Sequence, residues 1–154
     1  MNLFVVVAFL DRAIETNFLR NTWPLHLTLQ GNFYTDANED ELSLILTKVA
    51  ERTSHFTVVG RVNKSFGSSG DVLVVELRKT NELLQLHNQL VHSFGPDIKF
   101  EIPSFNVAGY KPHVTNQLKA RIRVGEERKI TTLSLVKLDA VSAQVCSTID
   151  FLTT

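Results

Sequence analysis

Leu25-His26-Leu27-Thr28-Leu29 alternates apolar and polar side chains without a break, which is the period of a half-buried β-strand. Successive strand side chains point to opposite faces, so the three leucines share a face with reason to be buried. His26 and Thr28 share the other, an imidazole and a hydroxyl about 6–7 Å apart along the strand. Tyr110-Lys111-Pro112-His113-Val114-Thr115-Asn116 repeats the pattern, with an apolar residue again between the histidine and the threonine. The copies lie too far apart in the chain for a helical turn or a local metal loop to join them. A fold of two related halves would present both imidazoles and both hydroxyls to one ligand, a set able to bind and protonate an anionic oxygen.

A lone histidine on a strand is more often structural than functional; the matched pair, each with its threonine, turns that balance. The remaining histidines have no such match. His87 falls on the apolar side of a helical pattern, His55 sits in a turn before a strand, and His92 has no evident partner, so structural roles are expected for all three. A zinc site would want three or four N/S donors. One cysteine and no His-x-x-x-His speak against it, and hydroxyls at the matched positions are poor zinc ligands. Neither a metal nor a cofactor is expected. Gly67-Ser68-Ser69-Gly70 lacks the Lys-Ser/Thr ending of a phosphate loop, and Gly-x-Ser-x-Gly is absent.

With 154 residues, 44% of them hydrophobic and 21% charged, the chain suits one soluble globular domain over 1–154. Sixteen basic and sixteen acidic residues cancel, which argues against broad binding to duplex nucleic acid but permits a small positive cleft. Cys146 stands alone, excluding an intrachain disulfide, and its alternating surroundings read as a buried small hydrophobe. The apolar run Leu3–Leu10 follows no basic stretch and is short of the ~20 residues a bilayer span needs, so it reads as a central strand. A cytoplasmic monomer that engages no membrane is expected.

Around these strands the elements follow in order. Asp11 is placed to cap a short helix over Ala13–Arg20, with Ile14, Phe18 and Leu19 inward. Asn21 and Trp23-Pro24 stop it, and Gly31-Asn32 marks a bulge or bend ending the first motif strand. Asp36-Ala37-Asn38-Glu39 has capping-box spacing before a helix over 38–53. Phe56–Val62 and Asp71–Arg78 read as a hairpin, and Thr80 caps a helix that Gly95-Pro96 ends. Phe100–Val107, Lys111–Arg123, Lys129–Leu138 and Gln144–Leu152 read as extended. The sum is an α+β fold with mostly antiparallel sheet.

In the order and spacing of its two His-x-Thr motifs, and in length, the sequence resembles the two-histidine (2H) phosphoesterase superfamily, which includes bacterial 2′-5′ RNA ligase-like proteins and cyclic nucleotide phosphodiesterases. The resemblance implies a bilobal, pseudo-two-fold arrangement with helices outside and a central cleft carrying one motif strand per lobe. It implies His26 and His113 as catalytic acid and base and Thr28 and Thr115 as phosphate ligands. The substrate it implies is an RNA end or small nucleotide bearing a 2′,3′-cyclic phosphate, opened without metal and with reverse 2′-5′ ligation possible in principle. Imidazole suits both proton roles near neutrality, and the near-symmetry of the motifs leaves open which histidine takes which. Cleavage of linear 2′-5′ linkages and a non-catalytic nucleotide- or RNA-binding module stand as alternatives. Period-two counting adds Lys111, Gln117 and Gln30 to the motif faces, while Trp23, Phe105 and Tyr110 flank the motifs as candidates for stacking on a base. The family's second motif usually ends in an apolar residue; Asn116 departs from that, at a position facing away from His113.

Overall fold

The computed structural model describes residues 1–11, 15–66, 72–117 and 120–153. Ten strands are present among them: β1 (Asn2–Phe9), β2 (Asn17–Leu19), β3 (His26–Thr35), β4 (Phe56–Phe66), β5 (Val72–Leu77), β6 (Lys99–Phe100), β7 (His113–Thr115), β8 (Glu127–Ile130), β9 (Thr132–Leu138) and β10 (Ser142–Asp150). The helices are α1 (Glu39–Ala50) and α2 (Asn81–Ser93). The strands form one curled sheet in the order β2-β10-β9-β1-β3-β7-β5-β4-β8, with β6 added on β3 and every strand pair antiparallel. The motif strands β3 and β7 are neighbours at its centre, each the inner strand of one half. They meet through a single paired position, Leu27 opposite Val114.

Paired residues point to the same face, so Leu27 and Val114 both enter the main core, where each is fully buried. Both helices cover that face: Leu42, Leu46 and Val49 of α1 and Leu83, Leu86 and Leu90 of α2 pack there with Phe4, Leu29, Phe33 and Val75. His26, Thr28, His113 and Thr115 therefore project from the opposite face, which neither α1 nor α2 covers. Arg128 of β8 links the halves from below, donating from Nη2 to the Leu10 carbonyl at 2.9 Å.

Several elements differ from the sequence expectation. Asn17–Leu19 is a strand on the edge of β10, not part of a helix over 13–20; residues 12–14 lie outside the described residues. Its backbone finds partners in Ser142–Gln144, while Phe18 packs edge-on against Trp23 at 4.9 Å. The first motif strand does not end at Gly31-Asn32 but continues to Thr35, with two slips of register against β1 that absorb extra residues as bulges. Asn38, not Asp36, caps α1, its Oδ1 accepting from the Glu41 N–H at 2.9 Å; Asp36 instead faces the N-terminal amine at 3.6 Å. Lys129–Leu138 divides into β8 and β9, which lie in opposite halves of the sheet, a break that no glycine or proline announces. Among the described residues, the expected long extended runs around the second motif shrink to β6, two 3₁₀ turns at Pro103–Phe105 and Val107–Gly109, and the three residues of β7; 118–119, within the expected run Lys111–Arg123, lie outside the described residues. The tip of the β4–β5 hairpin, 67–71, lies outside the described residues. Thr80 caps α2 as read, and Gly95, with φ +70°, ends it. No described helix is long and apolar enough to cross a membrane.

Candidate active site

The register at the seam fixes the site. With Leu27 opposite Val114 in antiparallel strands, His26 stands opposite Thr115 and Thr28 opposite His113. Each histidine is thus a direct cross-strand neighbour of the other motif's threonine, at the ~4.5–5.5 Å Cβ spacing of such pairs, and the histidines face each other on the diagonal at ~7–8 Å. All four side chains share one face. Both imidazoles are oriented alike: His26 Nδ1 lies 2.9 Å from the Pro24 carbonyl and His113 Nδ1 lies 2.7 Å from the Lys111 carbonyl, each two residues upstream. A carbonyl only accepts, so each Nδ1 carries the proton, and Nε2 is the ring nitrogen through which either imidazole would exchange a proton with a ligand.

Their surroundings differ. The Trp23 ring lies 4.4 Å from the His26 ring at 34°, Phe9 approaches edge-on at 6.3 Å, and Phe9, Phe18 and Trp23 form an aromatic wall over the β1–β9–β10 half. Although part of the His26 ring still meets solvent, burial in this wall pushes its pKa down to about 4; the Pro24 hydrogen bond opposes the shift and the charge of His113 adds to it. His26 is therefore neutral at neutral pH. Beside His113, the cross-strand neighbour is a carboxylate, Glu76 of β5. Arg61 donates to Glu76 Oε1 at 2.7 Å and Lys64 Nζ stands 3.1 Å from Oε2, holding the carboxyl below its usual range.

A cleft of about 630 Å³ opens on this face, lined by Thr28, Gly31, Asn32, Ser65, Glu101, Phe105, Tyr110, Lys111 and His113, among others. It exists because β7 leaves β3 after one pair. Beyond that point side chains, not a strand, take the β3 carbonyls: Tyr110 Oη donates to Thr28 O at 2.8 Å, and His87 Nδ1 to Leu29 O at 2.8 Å. His87 Nε2 accepts from the Val107 N–H at 2.9 Å, and Gln30 Nε2 donates to Asn106 Oδ1 at 3.1 Å, so the loop 102–110 is pinned along the open edge as the far wall.

Of the expected site residues, Lys111, Tyr110 and Phe105 line this cleft with Thr28 and His113, while Trp23 lies against His26 and borders a separate cavity with Asp11, Glu15 and Phe18. Phe105 is 60% exposed, its ring available to a base. The Tyr110 ring is not: it is buried, with His87 stacked on it. Gln30 is fully buried and serves the loop, because the bulge after Thr28 breaks the period-two count; β7 ends at Thr115, so Gln117 is off the strand. Asn116 faces away from His113 and accepts the Ile122 N–H at 3.1 Å, a packing role. His87 is a satisfied core histidine, and His92 Nδ1 bonds the Asn88 carbonyl on its own helix. Cys146 is half-buried, its thiol pushed up to about 11 by burial first and by Glu39. Among the described residues no three His, Cys, Asp or Glu side chains gather as a metal site.

Sequence reading missed Glu76, Arg61 and Lys64, and the wall of Phe9 and Phe18. A lone carboxylate inside Val72-Leu73-Val74-Val75-Glu76-Leu77 was the available signal, since a charge in such a strand needs a reason.

No curated protein matches the chain. Solved structures do. TT0787 of Thermus thermophilus superposes with a TM-score of 0.64 at 21% identity, over 98% of both chains. A phosphoesterase does so at 0.63 and 17%, over 98% of this chain and 99% of its own. E. coli LigT complexed with 3′-AMP gives 0.61 and 16%, over 97% of this chain and 98% of LigT. At these identities the likeness speaks for the fold. Residues 11–146 match the family described as the 2′-5′ RNA ligase superfamily, which is most of the sequence and both motifs: the chain belongs to that family.

Proposed function

We propose that this chain is a phosphodiesterase that opens 2′,3′-cyclic phosphates at RNA or nucleotide ends, with His26 and His113 as base and acid and with no metal. The observation that supports the reading is the seam register, by which His26, Thr28, His113 and Thr115 share one face of two adjacent strands, each imidazole held through Nδ1 by a carbonyl. A cyclic phosphate centred there has Thr28 and Thr115 for its non-bridging oxygens, donors already in place as charge develops. His26, neutral and with a free Nε2 lone pair, takes the proton of the attacking water. His113 delivers its Nε2 proton to the departing ribose oxygen. The base role goes to His26 because the aromatic wall keeps its ring neutral, which leaves the acid role to His113. With a 5′-hydroxyl in place of water, the same groups would join it to the cyclic phosphate, the base taking the hydroxyl proton and the acid protonating the departing ribose oxygen. Both motifs lie on one chain, so a monomer has a complete site. The crystal structure of LigT with 3′-AMP shows that a protein of this fold takes a nucleotide, which supports the substrate class.

The test is turnover of a nucleoside 2′,3′-cyclic phosphate in EDTA. Expected is hydrolysis that survives chelation and falls about 10²–10⁴-fold in His26→Ala and in His113→Ala. Turnover abolished by EDTA and restored by zinc or manganese would overturn the mechanism. Binding without turnover would leave the binding-module alternative, and turnover confined to linear 2′-5′ dinucleotides the other.

A further inference from the structure

The charged group on the His113 side of the site does more than neutralise itself. Glu76 is 6% exposed, and one cation suffices to balance it; it has two. Arg61 Nη2 makes the directed hydrogen bond. Lys64 Nζ stands 3.1 Å from Oε2 as a second cation on the same carboxylate. About half of each cationic side chain remains exposed, 52% for Arg61 and 46% for Lys64. The group thus carries a surplus positive charge in a chain whose total is zero.

Its position is set by the sheet. Glu76 is the direct neighbour of His113, and Lys64 pairs with Val74, itself the neighbour of Thr115. Paired residues share a face, so Lys64 stands on the catalytic face two strands from β7, roughly 10 Å away. Ser65, next in the chain, lines the same cleft as Thr28 and His113. The wall around Asn32 carries Glu101, which repels a phosphate there. A polyanion held at the histidines therefore has one favourable direction to run.

We propose that Arg61 and Lys64, steadied by Glu76, form a second anion subsite that holds the neighbouring phosphodiester of an oligoribonucleotide, so that a strand end is the preferred substrate over a free mononucleotide. The inference rests on reading the cleft as a phosphodiester site. Two N⁺–H donors held beside a scissile group bind a second phosphate without reorganising, and Arg61 keeps donors beyond the one facing Glu76. A lysine on a strand edge also discourages edge-to-edge pairing, and the experiment separates that role from binding.

Affinities of adenosine 3′-monophosphate and of the 3′-phosphorylated diadenylate ApAp are measured by calorimetry, with the fluorescence of Trp23, the single tryptophan, as a second readout. Wild type is expected to bind ApAp about five- to tenfold more tightly, and Lys64→Gln to bring that ratio below about twofold. The slope of log affinity for ApAp against log salt should fall by about 0.7. Lys64→Gln leaves the Arg61–Glu76 pair intact and is expected to fold; Arg61→Gln should lower the ratio similarly. Equal affinities in wild type, or a ratio that both variants leave unchanged, would overturn the subsite. If neither ligand binds, the phosphodiester reading and the subsite fall together. If the ratio responds but no cyclic phosphate is turned over, the subsite stands and the hydrolase reading falls.

Discussion

The imidazole of His87 and the phenol of Tyr110 lie ring on ring, 3.9 Å apart and 3° from parallel, and each reaches past the other to a carbonyl of β3. Together they do for Thr28 and Leu29 what a longer β7 would have done, but with side chains, which leaves the strand edge open as the wall of a cleft. His87 also accepts the Val107 N–H, and Val107 sits at φ +55°, a left-handed conformation that a β-branched residue adopts at a cost of about 1–3 kcal/mol.

Tyr110→Phe removes one hydroxyl from a buried bond and leaves the Thr28 carbonyl without it. A loss of about 1–3 kcal/mol in unfolding free energy is expected, measured by denaturant titration. Because Thr28 moves with its carbonyl, KM for a cyclic nucleotide should rise more than kcat falls. A variant as stable as wild type, with unchanged KM, would show that the pair does not position the motif.

His26 predicts how activity and stability follow pH. Its folded pKa of about 4 lies below the ordinary 6.5, so between these values the unfolded chain binds a proton that the folded chain does not. Stability from this group is complete above about pH 6.5 and is lost as pH falls toward 4, by at most about 3 kcal/mol. His87, also lowered by burial, acts in the same direction. His26→Gln should flatten this dependence. The acid limb of kcat/KM should lie well below pH 6.5 and vanish in the same variant; a limb that persists unchanged in His26→Gln would take the base role away from His26.

Trp23 sets that value by covering the His26 ring. Trp23→Ala admits water and should move the acid limb up toward about pH 6.5, whereas Trp23→Phe should move it less. NMR titration of the His26 ring in each variant checks the shift directly. An unmoved ring titration would mean that Phe9 and the backbone desolvate His26 without help from the indole.

The motif strands, the leucine face and both helices were legible in the sequence because each is a local period with a local cap. Leu25, Leu27 and Leu29 announce a buried face whatever pairs with them, and Thr80 and Gly95 bracket α2. What was not legible depends on partners. Asn17–Leu19 becomes a strand only because β10 offers an edge, and the divide between β8 and β9 reflects two different neighbours. The site split likewise. His-x-Thr is a sequence pattern, but the aromatic wall over His26 and the charged group beside His113 arise where β1, β5 and β4 dock, and no spacing records that.

The crossed register makes the last prediction. Thr115 stands opposite His26 and Thr28 opposite His113, at ~4.5–5.5 Å, whereas partners within a motif lie ~6–7 Å apart along the strand. Threonine hydroxyls that grip a phosphate oxygen contribute about 0.5–1.5 kcal/mol, so Thr28→Ala and Thr115→Ala should lower kcat/KM far less than loss of either histidine. Their coupling should be crossed. In double-mutant cycles on kcat/KM, His26 with Thr115 and His113 with Thr28 should deviate from additivity more than His26 with Thr28 or His113 with Thr115. If acid and base act in one transition state, His26→Ala with His113→Ala should fall short of the product of the two. Stronger coupling within each motif would mean that the phosphate is held by one strand at a time and not across the seam.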